Sequence, residues 1–309
     1  MLKIATIIPV HDRKNITLNC LKSLLAIKNN SLFKNEIIVV DDGSKDGTEQ
    51  AIAENYPDVK ILKGGGNLWW TGGINKGLEY ALSQNRYDYI LIINDDICFE
   101  KNFIHTLLKT LLDNQDSIVG ATTFYSNTNI IWKAGMNDTK KLHPLLKNNY
   151  QNTNYKKELP DLIEVDAISG RALLIPVKAI KDIGFFDSIN FPHGFGDHEF
   201  SVRAKRKGYN LIINTKAKIF SEPGANKSFF HLIKKKRLPE IVKSFKNVKY
   251  DWNINKLIKI YIVSRGKVKG FLGFCIHMAI LVKWILFKAI LSQNKFENLV
   301  NKKIEFFND

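Results

Sequence analysis

Two short stretches, Ile37-Ile-Val-Val-Asp-Asp-Gly43 and Ile90-Leu-Ile-Ile-Asn-Asp-Asp96, run apolar and then stop abruptly in acids. A continuous β-branched run has no polar side to turn to water, so it reads as a strand of a parallel sheet covered on both faces. Ligands of open α/β sheets lie just beyond the carboxyl ends of the strands. That rule gathers Asp41, Asp42, Asn94, Asp95 and Asp96 around one crevice. Carboxylates brought that close repel one another unless a cation or hydrogen-bond donors compensate. The pattern therefore asks for a metal, and a hard divalent metal there asks for a phosphate-bearing ligand.

Strand and helix patterns alternate around these runs. Ile4–Val10 reads as a strand, and Ile16–Ile27 repeats apolar residues at helical spacing. Glu36–Val40 is a strand and Lys45–Glu54 a helix, with Ser44 or Asp46 as its N-cap. Val59–Leu62, Tyr89–Ile93 and Ile118–Thr122 are further strands; Gly72–Gln84 and Phe103–Asp113 are helices. Such alternation predicts an α/β fold of βαβ units, with a largely parallel sheet and helices on both faces. Ser126–Pro160 is polar and weakly periodic, an excursion from the sheet rather than a linker. Strand character resumes in Glu164–Pro176, then comes a helix at Phe200–Lys207 and a strand at Asn210–Ile213.

At 309 residues the chain can bury one large domain, or one domain with an appendage. Its charge is uneven. From residue 201 onward it carries 24 lysines and arginines against 6 acids, whereas residues 1–200 carry 22 against 24. All of the net +16 thus comes from the last third, which points to an anionic surface, membrane or nucleic acid, as partner. Cys20, Cys98 and Cys275 have no metal-ligand spacing and suit a reducing compartment. Strand pattern begins right after Met1-Leu-Lys, so no signal peptide is expected. Phe271–Leu291 nears membrane-spanning length, but Lys283 and Lys288 fit a helix lying in a membrane surface or packed on the protein better than one crossing the bilayer.

Four stretches carry a resemblance: Pro9-Val-His-Asp-Arg13, Val40-Asp-Asp-Gly-Ser-Lys-Asp-Gly-Thr48, Asn67-Leu-Trp-Trp-Thr-Gly-Gly-Ile-Asn-Lys-Gly77 and Asn94-Asp-Asp96. Together they resemble the family 2 glycosyltransferases, inverting enzymes of the GT-A fold that use nucleotide-sugar donors. The Leu-Trp-Trp variant is most similar to bacterial branches that build O-antigen, capsule or related glycans, including rhamnosyltransferases. The resemblance implies a catalytic domain over residues 1–225, with a Rossmann-like mixed sheet, and a basic helical region over 226–309. Asn94-Asp-Asp96 stands where the family has Asp-x-Asp: Asp96 would ligate Mg2+ or Mn2+, and Asp95 or Asn94 would hold water or the donor ribose. Asp41 and Asp42 resemble the pair that binds the base. Pro9, His11, Arg13, Asn67, Gly73 and Asn75 would line the nucleotide-sugar site. The glycines of 64–66 and 72–73 would let the backbone approach the donor.

A second constellation, Gly194-Phe-Gly-Asp-His-Glu-Phe-Ser-Val-Arg-Ala-Lys-Arg-Lys-Gly-Tyr209, resembles the family's acidic motif ahead of a basic helix, with Gly196-Asp197 in place of Glu-Asp. The resemblance makes Asp197 the base that takes the acceptor hydroxyl proton. As a structural residue, Asp197 would instead cap the helix Glu199–Lys207. Arg171 and Glu199 would face the acceptor side, Glu199 alternatively holding Arg203. Ser221 occupies the place of the family's late histidine.

The expected donor is a UDP- or dTDP-sugar and the expected acceptor a saccharide, lipid-linked in view of the basic, apolar C-terminal third. The expected location is the cytoplasmic face of the plasma membrane. Competing readings fare less well. A nicotinamide-binding fold would place its glycine turn after the first strand, where this chain has Pro-Val-His-Asp-Arg. A nucleotidyltransferase would carry a glycine- and lysine-rich signature there. A processive polysaccharide synthase would have several spanning helices and a Gln-x-x-Arg-Trp motif. A non-catalytic nucleic-acid binder fits the charge, but no binding module supports it.

Overall fold

The computed structural model describes residues 1–308 apart from 28–30, 157 and 223–228, and these divide into two compact units. The first comprises residues 1–137 and 148–222, the second 138–147 and 223 onward. The boundary expected at 225/226, with Pro223 and Gly224, lies outside the described residues. The segment 138–147, read from sequence as part of the catalytic domain, belongs to the second unit.

The first unit opens with β1 (Leu2–Val10), α1 (Lys14–Leu25), β2 (Phe33–Asp41), α2 (Thr48–Asn55), β3 (Lys60–Lys63), α3 (Trp69–Ser83), β4 (Tyr89–Ile93), β5 (Ile97–Phe99), α4 (Phe103–Asp113) and β6 (Ser117–Tyr125). Then come β7 (Ile130–Lys133), then β8 (Met136–Asp138) and β9 (Leu146–Asn148), which run across the division between the units, and β10 (Thr153–Asn154), β11 (Leu162–Glu164) and β12 (Ala172–Pro176). It closes with α5 (Val177–Ile183), α6 (Gly196–Arg206) and β13 (Asn210–Ser221).

The sheet runs β3-β2-β1-β4-β12-β6-β7-β10, with β13 also pairing β6, β5 and β11. Strands β3, β2, β1 and β4 are parallel, as βαβ units require. The other half is mixed, because β12 returns from the polar excursion without a crossover helix and enters antiparallel between β4 and β6. Alternate strand residues feed two cores. Ala5, Ile7, Ile38, Val40, Ile90 and Ile92 face the layer of α3, α5 and α6, while Ile4, Ile8, Ile37, Val39, Leu91 and Ile93 face α1 and α4. Burial of each such side chain is worth about 1.5–3 kcal/mol, and burial on both faces explains the unbroken apolar runs. One boundary differs from expectation. Helix α2 starts at Thr48 with Gly47 as N-cap rather than Ser44 or Asp46. Asp46 works from one residue further out, accepting from Thr48 N and Lys14 N, while Ser44 N donates to Asp41.

The second unit contains α7 (Phe229–Lys235), α8 (Leu238–Ser244), α9 (Ile254–Arg265), α10 (Lys267–Ile290) and α11 (Gln293–Asn308). Helix α10 is long and apolar enough to cross a membrane by length and composition, yet only 22% of its most apolar window is buried. Val268, Phe271, Leu272, Ile276, Leu286 and Ile290 stand exposed along it. Residues 138–147 are tied to this unit by Arg265, which forks onto Asp138 and also donates to Lys141 O. Tyr261 anchors the same segment. Its hydroxyl lies between Nδ1 of His143 and Nδ1 of His277, the latter at 3.0 Å.

Burial pushes His277 down to about 4, and burial also lowers His143. The tyrosine hydroxyl needs one ring nitrogen to accept its proton, and charging both rings turns both nitrogens into donors. The unfolded chain therefore binds protons more readily, so this contact is complete above pH 6.5 and is lost as pH falls towards about 4. Amides of 139–146 should exchange with deuterium about tenfold faster for each pH unit lost across that window, after correction for intrinsic rates. His277→Gln should flatten that dependence; a wild-type profile without slope would rule the contact out.

Candidate active site

The sequence of β1, β2 and β3 builds outward on one side, and β4 then returns to the other side of β1. The crevice at this reversal is where an open α/β sheet binds ligand. Arg13, just past β1, spans it. Its Nη1 donates to Asp95 Oδ1 at 2.7 Å and its Nη2 reaches Asp96 Oδ2 at 3.4 Å. Thr17, one turn further along α1, donates to the other Asp95 oxygen at 3.3 Å. Burial still pushes Asp95 up to about 6; Arg13 opposes this and the neighbouring Asp96 adds to it.

Asp96 differs from Asp95 in one respect that bears on a metal. Its Oδ1 is buried and has no hydrogen-bond partner. Among the described residues no three His, Cys, Asp or Glu side chains gather around one point. A single free carboxylate oxygen fits a divalent cation whose remaining ligands are phosphate oxygens and water, the usual habit of Mg2+.

Asp42 has a different task. Its Oδ1 accepts from Gly66 N at 2.7 Å, and its Oδ2 accepts from Leu68 N at 2.8 Å and Trp69 N at 3.0 Å. The N-terminus of α3, a ready anion site, is thus filled by the protein's own carboxylate. The glycine loop expected to approach the donor phosphates has these main-chain N–H groups committed inward instead. Among the described residues the Asp41 carboxylate accepts only from Ser44 N, at 2.9 Å. His11 donates from Nδ1 to Asp42 O at 2.7 Å, since a carbonyl can only accept. Asn67 is exposed in the loop and Pro9 half-buried beneath α3. Gly73 serves packing: a Cβ there would lie 2.9 Å from Pro9 Cβ.

The next links run from α3 to Asp197. Trp70 Nε1 donates to Asn94 Oδ1 at 2.8 Å, so the amide oxygen expected to hold water or the donor ribose is given to the indole. The indole lies against Gly170, where any Cβ would collide with it. Gly170 N in turn donates to Asp197 Oδ2 at 2.9 Å, and His198 N to Oδ1 at 2.9 Å. Asp197 is thus not the N-cap residue, although its Oδ1 holds a first-turn N–H of its own helix. It sits in the first turn of α6, whose N-cap is Phe195, and is aimed at the 169–171 segment by that bond. The N-terminal position favours the ionised form.

Two residues expected at the ligand have their polar atoms committed within the protein. Asn75 exchanges two hydrogen bonds with the Phe186 backbone, at 2.8 and 3.0 Å. Glu199 is buried and gives both oxygens to Arg203, at 2.6 and 2.9 Å; Arg203 then holds the carbonyls of Ile183 and Phe185. The alternative expectation for Glu199, holding Arg203, describes what is found. Arg171 lies with its guanidinium carbon 4.2 Å over the Trp132 ring, and Trp132 stacks on Tyr125. Thr17, Tyr125 and Trp132 escape a sequence reading. Thr17 carries a faint signal, one helical turn after Arg13; Trp132 lies in the weakly periodic stretch and Tyr125 at its edge.

Backbone conformation marks the same region. Asp12, Trp69 and Phe195 hold left-handed φ angles of 48°, 58° and 63°, each costing on the order of 1 kcal/mol for a non-glycine residue. All three flank site residues.

Residues 5–178 match the family described as Glycosyl transferase family 2. An uncharacterised glycosyltransferase of Rickettsia typhi is 32% identical over 200 residues, 62% of this chain and 56% of the relative. The N-acetylglucosaminyl-diphospho-decaprenol L-rhamnosyltransferase of Mycobacterium tuberculosis is 27% identical over 204 residues, 59% of this chain and 65% of the relative. A solved mannosyltransferase, PcManGT from Pyrobaculum calidifontis in complex with GDP-Man and Mn2+, superposes with a TM-score of 0.54 at 11% identity. That match covers 96% of this chain and 84% of that one, and is a likeness of fold alone. The chain spans between about a third and two-thirds of the length of the curated relatives it matches. The match to the family takes in more than half of the chain, and the α/β unit has the GT-A fold: the chain belongs to glycosyl transferase family 2.

Proposed function

We propose that the chain transfers a sugar, with inversion, from a UDP- or dTDP-sugar to a saccharide acceptor. The observation that carries this reading is that Asp96, just past the end of β4, keeps a buried carboxylate oxygen without a partner, while Asp197 is held by Gly170 N just ahead of β12, the strand paired with β4. One carboxylate is suited to a diphosphate-bound cation and the other to a hydroxyl proton. Arg13 orients the Asp95–Asp96 pair. Asp41 offers the free lone pairs for a pyrimidine imide, because both oxygens of Asp42 are engaged. A Mg2+ or Mn2+ ion on Asp96 would supply positive charge to the diphosphate. Asp197 takes the acceptor proton while the acceptor oxygen forms its bond to the anomeric carbon, opposite the departing phosphate. The printed ligands of the mannosyltransferase, GDP-Man and Mn2+, support this donor chemistry.

The second unit supports a lipid-linked acceptor in bacterial surface-glycan synthesis, of the O-antigen or capsule kind. Its exposed apolar residues on α10, with Lys267, Lys269, Lys283 and Lys288 among them, suit an anionic membrane surface at the cytoplasmic face. The name of the mycobacterial relative, a transferase to a diphospho-decaprenol acceptor, agrees with this.

Release of UDP, dTDP or GDP from a panel of nucleotide sugars, with Mn2+ and with EDTA, tests the class. One donor should respond, and only with metal. Asp197→Asn should lower transfer by about 10²–10⁴-fold while donor affinity stays within about threefold. Turnover like wild type would remove Asp197 from its role. Asp96→Ala should abolish Mn2+-dependent nucleotide binding in calorimetry, and unchanged metal dependence would move the cation elsewhere. Leu272→Glu with Ile276→Glu, both at exposed positions, should free the protein from phosphatidylglycerol vesicles in sedimentation without shifting its melting temperature; retained binding would exclude α10 as the contact.

A further inference from the structure

Arg171 is a half-buried cation with little direct compensation. Its Nε is buried with no hydrogen-bond partner. Among the described residues its one side-chain hydrogen bond, from Nη1 to Ser169 Oγ, is long at 3.5 Å. Its carbonyl accepts from Asn94 N at 3.3 Å, which pins the main chain at the end of β4. The guanidinium carbon lies 4.2 Å from the centre of the Trp132 ring, a cation–π contact, and the Tyr125 ring stacks on that indole at 5.6 Å and 19°. Burial works against its charged form, and Asp96 and Asp197 oppose that effect. A guanidinium does not give up its proton, so the charge stays and waits for an anion.

The other positive groups of the crevice are engaged. The α3 N-terminus is filled by Asp42 and Arg13 is bound to Asp95. We propose that Arg171, seated on Trp132, neutralises the negative charge that the diphosphate gains as its bond to the sugar breaks. The inference rests on the transfer reaction proposed above. In that reaction the anomeric carbon–oxygen bond breaks and its electron pair goes to the diphosphate. The acceptor oxygen bonds to that carbon, and its proton passes to Asp197. Asp197 thereby loses its negative charge just as the leaving group gains one. Arg171 exchanges one counter-charge for the other, so its attraction is stronger in the transition state than in the donor complex, which is what accelerates a chemical step. Arg171 is then a catalytic residue and Trp132 the positioning residue beneath it.

Calorimetry on the full chain with Mn2+ tests this, comparing a nucleoside diphosphate (the charged product) with its nucleotide sugar. Arg171→Met should weaken the diphosphate about 10–100-fold and the nucleotide sugar less than about threefold. In turnover it should lower kcat about 10²–10³-fold with the acceptor KM unchanged. Arg171→Lys should recover part of both effects. Trp132→Leu should fall between wild type and Arg171→Met, and Trp132→Phe, which keeps an aromatic face, should restore most of the loss. Added guanidinium should recover diphosphate binding by Arg171→Ala, a result that a merely misfolded variant cannot show. Equal weakening of both ligands, a loss confined to acceptor KM, or no rescue by either lysine or guanidinium overturns the assignment. If the wild-type chain binds neither ligand, the transfer reading itself fails and takes the inference with it. Wild-type turnover beside an unimpaired Arg171→Met sinks the inference alone.

Discussion

The carboxylate of Asp42 organises this site from the inside. It is buried at the end of β2 and accepts three main-chain N–H groups from Gly66, Leu68 and Trp69. Charge-assisted bonds to a helix start are among the stronger ones in a protein. They set where α3 begins and so where Trp70 points. Trp70 then fixes Asn94 by a hydrogen bond and packs on Gly170, whose N–H holds Asp197. Thr71, the next residue, bonds Pro192 and Phe191 and secures the loop leading into α6. Three strand ends far apart in the chain are in this way connected through one tryptophan.

The electrostatics of the crevice follow from how its charges are divided. Arg13 neutralises Asp95 across the topological reversal, while Asp96 keeps one oxygen free. Two adjacent carboxylates with different partners can do different work, one structural and one for a cation. Arg171 feels the charges of Asp96 and Asp197 and rests on an aromatic column, with no ion pair among the described residues. A cation held in this manner can change anionic partners without breaking a tight salt bridge, as group transfer requires.

The second unit follows a different logic. It takes residues 138–147 from the middle of the chain and binds them through Arg265, Tyr261 and His277. Its basic, apolar surface is carried by helices rather than by a sheet. The polar composition of 126–160 announces an excursion, but composition carries no address for where such a segment docks. Pairing of Asp138 with Arg265 depends on residues far apart in the chain and leaves no local pattern.

The sequence by itself determined the strand–helix alternation, the two cores and the acids at the strand ends. Each rests on a periodicity or on a run whose burial is worth more than any local alternative, so each is written in neighbouring residues. Asp96 and Asp197 could be named as candidates because a motif placed them. Which carboxylate is free was decided only by tertiary structure. Asp42, Asn75 and Glu199 are the right residue types at the right strand and helix ends, yet their lone pairs and amides are taken by the backbone of Gly66–Trp69, by Phe186 and by Arg203. The same holds for Trp132, which has no signal of its own until folding lays it under Arg171. Hydrogen-bond capacity is a property of three-dimensional neighbours: a sequence names the donors and acceptors, and the fold settles which are left over for chemistry.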